Sequence, residues 1–333
     1  MKTLNHKIGA GVPQALPKKI ISGVAVTSLI VLTAAYFPLI GFFCFLALPL
    51  TAFYYRATLG RKNGLIVPAL SMGLMLPVLG GASPDILIIV ELLVLGFVLS
   101  EFVEQRLQIE QIFVYTCGVV FFAGILSLLI YSNFSGTQLG TLISDYVTRN
   151  LQLSVKWYSQ AGMPAENVRI ITESMDTIRR LLVGIMPALA TAFIMFSAWI
   201  TFLLARSILT KKGLYFPEFG RLNRWKAPET MVWGVIGSGL LMLMPAELAK
   251  TVGQNVIIVL MTIYFFQGIA IASFYFEQKQ FPRPLRIFLY STLVIWHLMV
   301  LFVVGLGFFD MWADFRRLNQ PAESDDNDEG KME

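Results

Sequence analysis

The chain has 333 residues, of which 56% are hydrophobic and only 14% charged, and its mean hydropathy is +0.67. Soluble domains carry about 25% charged residues, so the composition excludes a soluble globular protein and points to an all-α, polytopic transmembrane helical bundle. The net charge of +5 does not describe a nucleic-acid surface, because the 26 Lys and Arg residues stand in short blocks between apolar runs.

Residues 1–19 form a basic arm with Gly9, Gly11 and two prolines, expected to be flexible and cytoplasmic. The apolar run after it is too long for the h-region of a cleaved signal peptide and reads as an uncleaved first span. That span covers Ile20 to Phe37, and a second covers Leu39 to Tyr55. As one helix the two would far exceed a hydrocarbon core of about 30 Å, so a tight hairpin is expected at Pro38. Arg56 to Gly64 is a basic loop, and Leu65 to Gly81, interrupted by Pro68 and Pro77, is a third crossing or a re-entrant segment, of which the Lys and Arg count favours the crossing. Ile86 to Ser100 and Ile112 to Tyr131 are the fourth and fifth spans, which completes an N-terminal membrane set over 20–131. Residues 132–180 are polar, but Leu139, Leu142, Ile143, Tyr146 and Val147 recur at helical spacing, which predicts an amphipathic outer segment lying in the interface plane. Leu181 to Leu204, Met231 to Leu248, Val256 to Phe276 and Ile287 to Phe309 complete about nine spans, with a C-terminal membrane set over 181–318. Residues 319–333 are acidic and low in apolar content, and are expected to be a disordered tail.

Lys and Arg set the orientation. With the N-terminus inside, most of the 26 fall on the cytoplasmic face, six of them in 206–229, against Lys250 alone in the short outer connections. Nine crossings then place the C-terminus outside.

Motifs for catalysis are absent: there is no HExxH, no phosphate-binding glycine loop and no nucleophile elbow. His6 and His297 are the only histidines, so a multi-histidine metal site within the chain is excluded, and no cofactor is expected. Cys44 and Cys117 lie in apolar runs and read as small hydrophobes. Glu101, Glu104 and Glu110 form a single concentration of acids at one face, thin support for an enzyme; the expectation is that the protein is not one.

Polar groups at membrane depth are the sharper signal, because each costs a few kcal/mol unless paired or wet. Glu91 in the fourth span, Gln267 in the eighth and His297 in the ninth are the candidate ligand contacts, each with a structural alternative. For Glu91 that is a protonated or hydrogen-bonded carboxyl near the outer interface, for Gln267 an interhelical tie, and for His297 a neutral imidazole bonded to a neighbouring helix. Gly184, Ala188 and Ala192 form a small-residue stripe for helix packing. Between two apolar runs lies Tyr215 to Pro228, where Arg221, Arg224, Trp225 and Lys226 suit either anchoring to anionic lipid or docking of a partner.

Three stretches carry a family resemblance: Tyr215-Phe216-Pro217-Glu218-Phe219 leading to Trp225-Lys226-Ala227-Pro228, then Phe266-Gln267-Gly268-Ile269-Ala270, then Gly307 to Arg316. Their order and spacing resemble the YybS-like family of bacterial integral membrane proteins, a domain of unknown function, over residues 15 to 318. The resemblance implies a multi-pass protein of the bacterial cytoplasmic membrane and no stated activity. The chain also looks distantly similar to the substrate-binding subunits of energy-coupling-factor vitamin transporters, six-helix proteins that capture a small molecule and dock on a partner. It departs from them in having more spans and a large outer segment, and it has no vitamin-specific motif. The functional expectation is transport-related binding of a small solute in a membrane cavity. The alternative is a non-transporting scaffold or partner subunit of cell-envelope machinery. The expected partners are the lipid bilayer and another membrane or cytoplasmic subunit, with no nucleic acid.

Overall fold

The structure, a computed structural model, describes residues 15–316 apart from Ala82, and not the side chains of seven of these, His297 among them. The expected disordered tail and most of the expected flexible arm therefore lie outside the described residues; Ala15 to Lys19 of that arm are helical. Among the described residues there are eleven α-helices, one 3-10 turn and no strand, so the chain is all-α as its composition requires. It divides into two compact units, Met1–Glu218 and Phe219–Glu333.

The first unit holds α1 (Ala15–Tyr36), α2 (Pro38–Val78), α3 (Pro84–Glu104), α4 (Ile109–Ser135), α5 (Leu139–Gln160), α6 (Ala165–Glu173) and α7 (Met175–Lys211). The chain reverses between α1 and α2, as Pro38 predicts. A Cβ at Gly23 of α1 would lie 3.0 Å from the Tyr55 ring and from both Val67 methyls, so α1 packs along both arms of α2. Those arms are themselves a hairpin. Gly60 has φ 79° and ψ 175°, and a Cβ at Gly64 would lie 2.5 Å from the Cα of Arg56. In a straight helix these two residues would stand about 12 Å apart. The expected second span, basic loop and third crossing are thus the first arm, the turn and the second arm of α2.

The polar ends of these helices gather at one end of the unit. Arg56, although 5% exposed, donates to Glu101 Oε2 at 2.6 Å and to the Ser100 carbonyl at 3.3 Å, and it also pairs with Glu104. Arg61 reaches Glu101 at 3.6 Å, Lys212 donates to the Tyr54 hydroxyl at 2.9 Å, and Arg106 stacks over the Tyr215 ring. Two of the three acids that could have supported an enzyme are therefore ion-pair partners of one arginine. Phe216 packs on the rings of Phe53 and Phe202.

Helix α3 runs through the middle of this unit, with nine buried residues. A Cβ at Gly96 would fall 1.9 Å from the Pro49 carbonyl oxygen, so only glycine lets α3 lie this close to α2. Val31, Leu48, Ala52, Met75, Ile89 and Leu92 pack around that contact. By contrast, Val114, Phe122 and Leu126 of α4 are exposed, the outward apolar face that lipid requires. The amphipathic outer segment is α5 and α6 together with the ends of α4 and α7; α5 buries Leu142 and Val147 and leaves Trp157 and Tyr158 exposed.

The second unit holds a 3-10 turn (Leu222–Arg224), α8 (Met231–Leu243), α9 (Glu247–Gln278), α10 (Arg283–Ile295) and α11 (His297–Ala313). Helices α8 and α9 form an antiparallel pair, since a Cβ at Gly253 would meet the Ser238 carbonyl and one at Gly234 would meet Leu260. Helices α9 and α11 run parallel. A Cβ at Gly307 would lie 1.9 Å from the Tyr264 carbonyl oxygen, Gln267 bonds Asp310, and Tyr275 bonds the carbonyl of Phe315.

Two expectations change here. The expected straight ninth span is broken at Trp296, and its parts, Arg283–Leu293 and Leu298–Ala313, are bent by 104°. Both ends of that bent pair stand at one end of α9, next to Tyr275 and Phe276, because Arg286 donates to the Phe276 carbonyl while Phe315 accepts from Tyr275. The end of α11 therefore lies on the side of the 219–228 loop, not across from it as nine crossings would place it. Among the described residues five helices (α1, α3, α4, α7, α9) are long and apolar enough to cross alone, and the bent pair makes a sixth if counted as one span. Nine spans are not shown: neither arm of α2 is among those helices, and α8, at 13 residues, extends only about 20 Å.

Candidate functional site

A cavity of about 820 Å³ opens in the first unit, lined by α1 to α5 and α7. That volume lies within the usual range for a small-molecule site, about 300–1,000 Å³. Its walls are mostly apolar and include Phe45, Leu92, Leu95, Val120 and Phe193. The polar side chains are few: Tyr36, Ser83, Asp85, Glu91, Ser127 and Tyr146.

Glu91 sits about 10 Å along α3 from its first residue, Pro84. Its carboxylate lies against Gly124 of α4, where an added Cβ would be 2.7 Å from Oε1. Glycine at 124 makes the room that the carboxylate occupies. Among the described residues Glu91 has no hydrogen-bond or ion-pair partner. An ionised group without a counter-charge at bilayer depth costs on the order of 3 kcal/mol. Of the structural alternative, the hydrogen-bonded form finds no partner among the described residues, which leaves a protonated carboxyl or a ligand contact.

Asp85 differs, because it is already engaged. It stands in the first turn of α3, where it complements the positive end of the helix, and it accepts from the Tyr146 hydroxyl at 3.0 Å. Tyr146 lies on the inner face of α5 with Leu142 and Ile143, so α5 roofs the cavity. Burial, and then the charge of Asp85, push the Tyr146 hydroxyl up to about 12. A second tie holds the roof: Arg179 of α7 donates to Ser144 Oγ at 2.7 Å. Below the cavity, Thr116 stands one helical turn from Val120 on the same face of α4, and Ser197 and Thr201 follow Ile194 on one face of α7. These three hydroxyls are fully buried and lack a hydrogen-bond partner among the described residues.

Gln267 belongs to the second unit, and both ends of its amide are occupied. Its Oε1 accepts from the Ala227 backbone N–H at 3.1 Å, and its Nε2 donates to Asp310 Oδ2 at 3.0 Å. Asp310 also accepts from Arg316 at 2.7 Å and from the Phe315 N–H at 3.1 Å. Arg316 in turn donates to the carbonyls of Asn223 and Trp225, each at 2.9 Å. The three stretches of the family resemblance thus converge on one buried network within this unit. Its members are distant in sequence, and motif order alone does not show that Asp310 and Arg316 complete it. The side chain of His297 lies outside the described residues.

The network holds the backbone of the basic loop while its side chains differ in their surroundings. Lys226 pairs with Glu229 at 2.9 Å, and Trp225 is half-buried. Arg221 and Arg224 are exposed and without a partner among the described residues. On α7, Ala188 of the small-residue stripe is buried, while Gly184 and Ala192 are half-buried. Cys44 and Cys117 are free thiols, both half-buried. No group of side chains with metal-ligand character occurs among the described residues.

The family described as Predicted membrane protein (DUF2232) matches residues 25–311. The chain is also similar to "Uncharacterized protein YybS" of Bacillus subtilis (strain 168), with 22% identity over 270 residues, covering 78% of this chain and 84% of that protein. No solved structure matches.

Proposed function

The chain belongs to the DUF2232 family of predicted membrane proteins, and from that premise we propose that it is a transport-related protein that binds a small solute in the cavity of its first unit. The observation that carries this reading is the cavity of about 820 Å³ with the unpartnered Glu91 in its wall. A pocket of that size, apolar with few convergent polar groups, is the usual form of a small-molecule site. Acid–base catalysis uses a positioned acid or base beside the reacting group, whereas here Asp85 is engaged by Tyr146 and Glu91 stands among mostly apolar walls, so binding rather than catalysis is the reading.

The membrane is read as the bacterial cytoplasmic one, with the N-terminus on the cytoplasmic side. Support comes from the end of the first unit where Arg56, Arg61, Arg106 and Lys212 gather, because short cytoplasmic connections are rich in Lys and Arg. The test is a thermal-shift screen of the purified full chain in nanodiscs against amines, amino acids, nucleosides and vitamins. An Ala190→Trp variant, which fills the cavity from α7, serves as the comparison. Solutes that stabilise the parent and not the variant are expected; stabilisation that is indifferent to Ala190→Trp counts against the cavity.

A second reading, docking of an anionic lipid or a partner subunit at the loop of the second unit, is favoured by the exposed Arg221 and Arg224 on a backbone fixed by Gln267 and Arg316. A photo-crosslinking residue at 221 distinguishes them, since lipid and protein adducts differ in mass. The absence of any adduct would remove this reading.

A further inference from the structure

We infer that the solute taken by the cavity is an amphipathic organic cation, an amine on an aromatic or aliphatic body, whose charged head pairs with Glu91. This rests on the cavity reading above and adds the chemistry of the ligand to it. Charge makes the first part of the case. The residues that line the cavity include two acids, Asp85 and Glu91, and no Lys, Arg or His. Asp85 is used locally, by the Tyr146 hydroxyl and by the positive end of α3. Glu91 is not used by any described residue, although Gly124 leaves its carboxylate a defined seat. The cations nearest the roof do not supply the missing charge: Arg179 is held by Ser144 and Asp176, and Arg149 is exposed on α5. An ammonium group supplies both the counter-charge and the donors that a carboxylate accepts.

The walls make the second part. Beyond Glu91, Asp85 and a few hydroxyls they are hydrocarbon and aromatic, with Phe45, Tyr36 and Phe193 among them. A fully polar cation such as a free diamine would lose hydration there without replacement. An apolar body gains by burial, and aromatic rings tolerate a cation beside them. An acid of the same shape meets two carboxylates and no base, so it is disfavoured.

Three probes of one body decide the matter: a phenylalkylamine, the matching phenylalkanol and the matching phenylalkanoate. Their binding to the full chain in nanodiscs is measured by calorimetry. The amine is expected to bind about tenfold tighter than the alcohol, the size of one charge-assisted hydrogen bond, and the acid weakest. Glu91→Gln is expected to bring the amine down to the alcohol while leaving the alcohol unchanged. Retained alcohol binding shows that the variant is folded and its cavity open. Asp85→Asn, the second variant, is expected to reduce amine affinity less than Glu91→Gln. If the alcohol or the acid binds as tightly as the amine, the cation is refuted while the cavity stands; if Glu91→Gln leaves the preference intact, the pairing with Glu91 on which the inference rests is refuted. If none of the three binds the parent, both the cation and the cavity reading fall.

Discussion

Asp310 and Arg316 form an ion pair 2.7 Å long whose side chains are 1% and 0% exposed. Its partners lie on the 219–228 loop and on α9, so the pair joins three stretches rather than two residues. Removing one member of a buried pair leaves an uncompensated charge, at a cost of about 3–5 kcal/mol. Arg316→Ala and Asp310→Ala are therefore each expected to lower the melting temperature of the purified protein sharply. The double variant should lose less than the sum of the two, because it leaves no orphan charge. Limited proteolysis should cut the 219–228 loop faster in the single variants. Equal and additive small losses would mean that the pair does not hold the loop.

How much of this was legible in the sequence depends on range. The reversals at Pro38 and around Gly60 were readable, because a run of apolar residues too long for a bilayer has to fold back where proline, glycine and basic residues interrupt it. The amphipathic spacing of Leu142, Tyr146 and Val147 likewise announced a helix with one packed face. The destination of Gln267 was not readable, because its partners at 227 and 310 are fixed by tertiary packing. The ninth span was misread for a related reason. Ile287 to Phe309 is uniformly apolar, and hydropathy does not register the break at Trp296. Glu91 stood out as a polar residue in an apolar run, but nothing local tells that Gly124 faces it.

The parallel course of α9 and α11 gives a prediction for topology. In a background with Cys44 and Cys117 replaced by alanine, single cysteines at Arg224 and Asp314 are expected to react with a membrane-impermeant maleimide from the same side. Reaction from opposite sides would contradict the bonds between Arg316 and the loop carbonyls.

Gly124 gives a graded test of the cavity wall. Gly124→Ala requires only that the flexible tip of Glu91 turn aside, since the closest atom to the new Cβ is Oε1 at 2.7 Å. Its effect on stability should stay within about 1 kcal/mol. Gly124→Phe places a ring where the carboxylate lies and should abolish solute binding measured by the same calorimetry. A Gly124→Phe protein that binds as the parent does would place the solute elsewhere.

The roof of the cavity should respond to alkali. Tyr146 has its hydroxyl pushed up to about 12, by burial first and by Asp85 second. The folded value lies above the unfolded one of about 10, so the neutral phenol's contribution to stability is complete below pH of about 10 and is lost as pH rises toward 12. The late part of the alkaline phenolate titration, followed by absorbance, should be reduced by one tyrosine in Tyr146→Phe. Asp85→Asn should bring that titration down. The Tyr146→Phe change itself should cost about 1 kcal/mol, the net worth of one hydrogen bond.

The clasp on the second unit also has a consequence for the order in which the protein is made. Arg316 follows Asn223 by 93 positions and Trp225 by 91. A ribosome therefore finishes the loop, α8, α9 and the bent pair before the residue that caps the loop carbonyls exists. Until then Gln267 has the Ala227 amide but no carboxylate, and the Asn223 and Trp225 carbonyls lack the guanidinium that they accept from here. A nascent chain stalled before Asp310 would hold every helix of the first unit and still present an unclosed second one. Folding of that second unit is thus completed from its far end, and a chain ending before Arg316 lacks the donor that closes the loop.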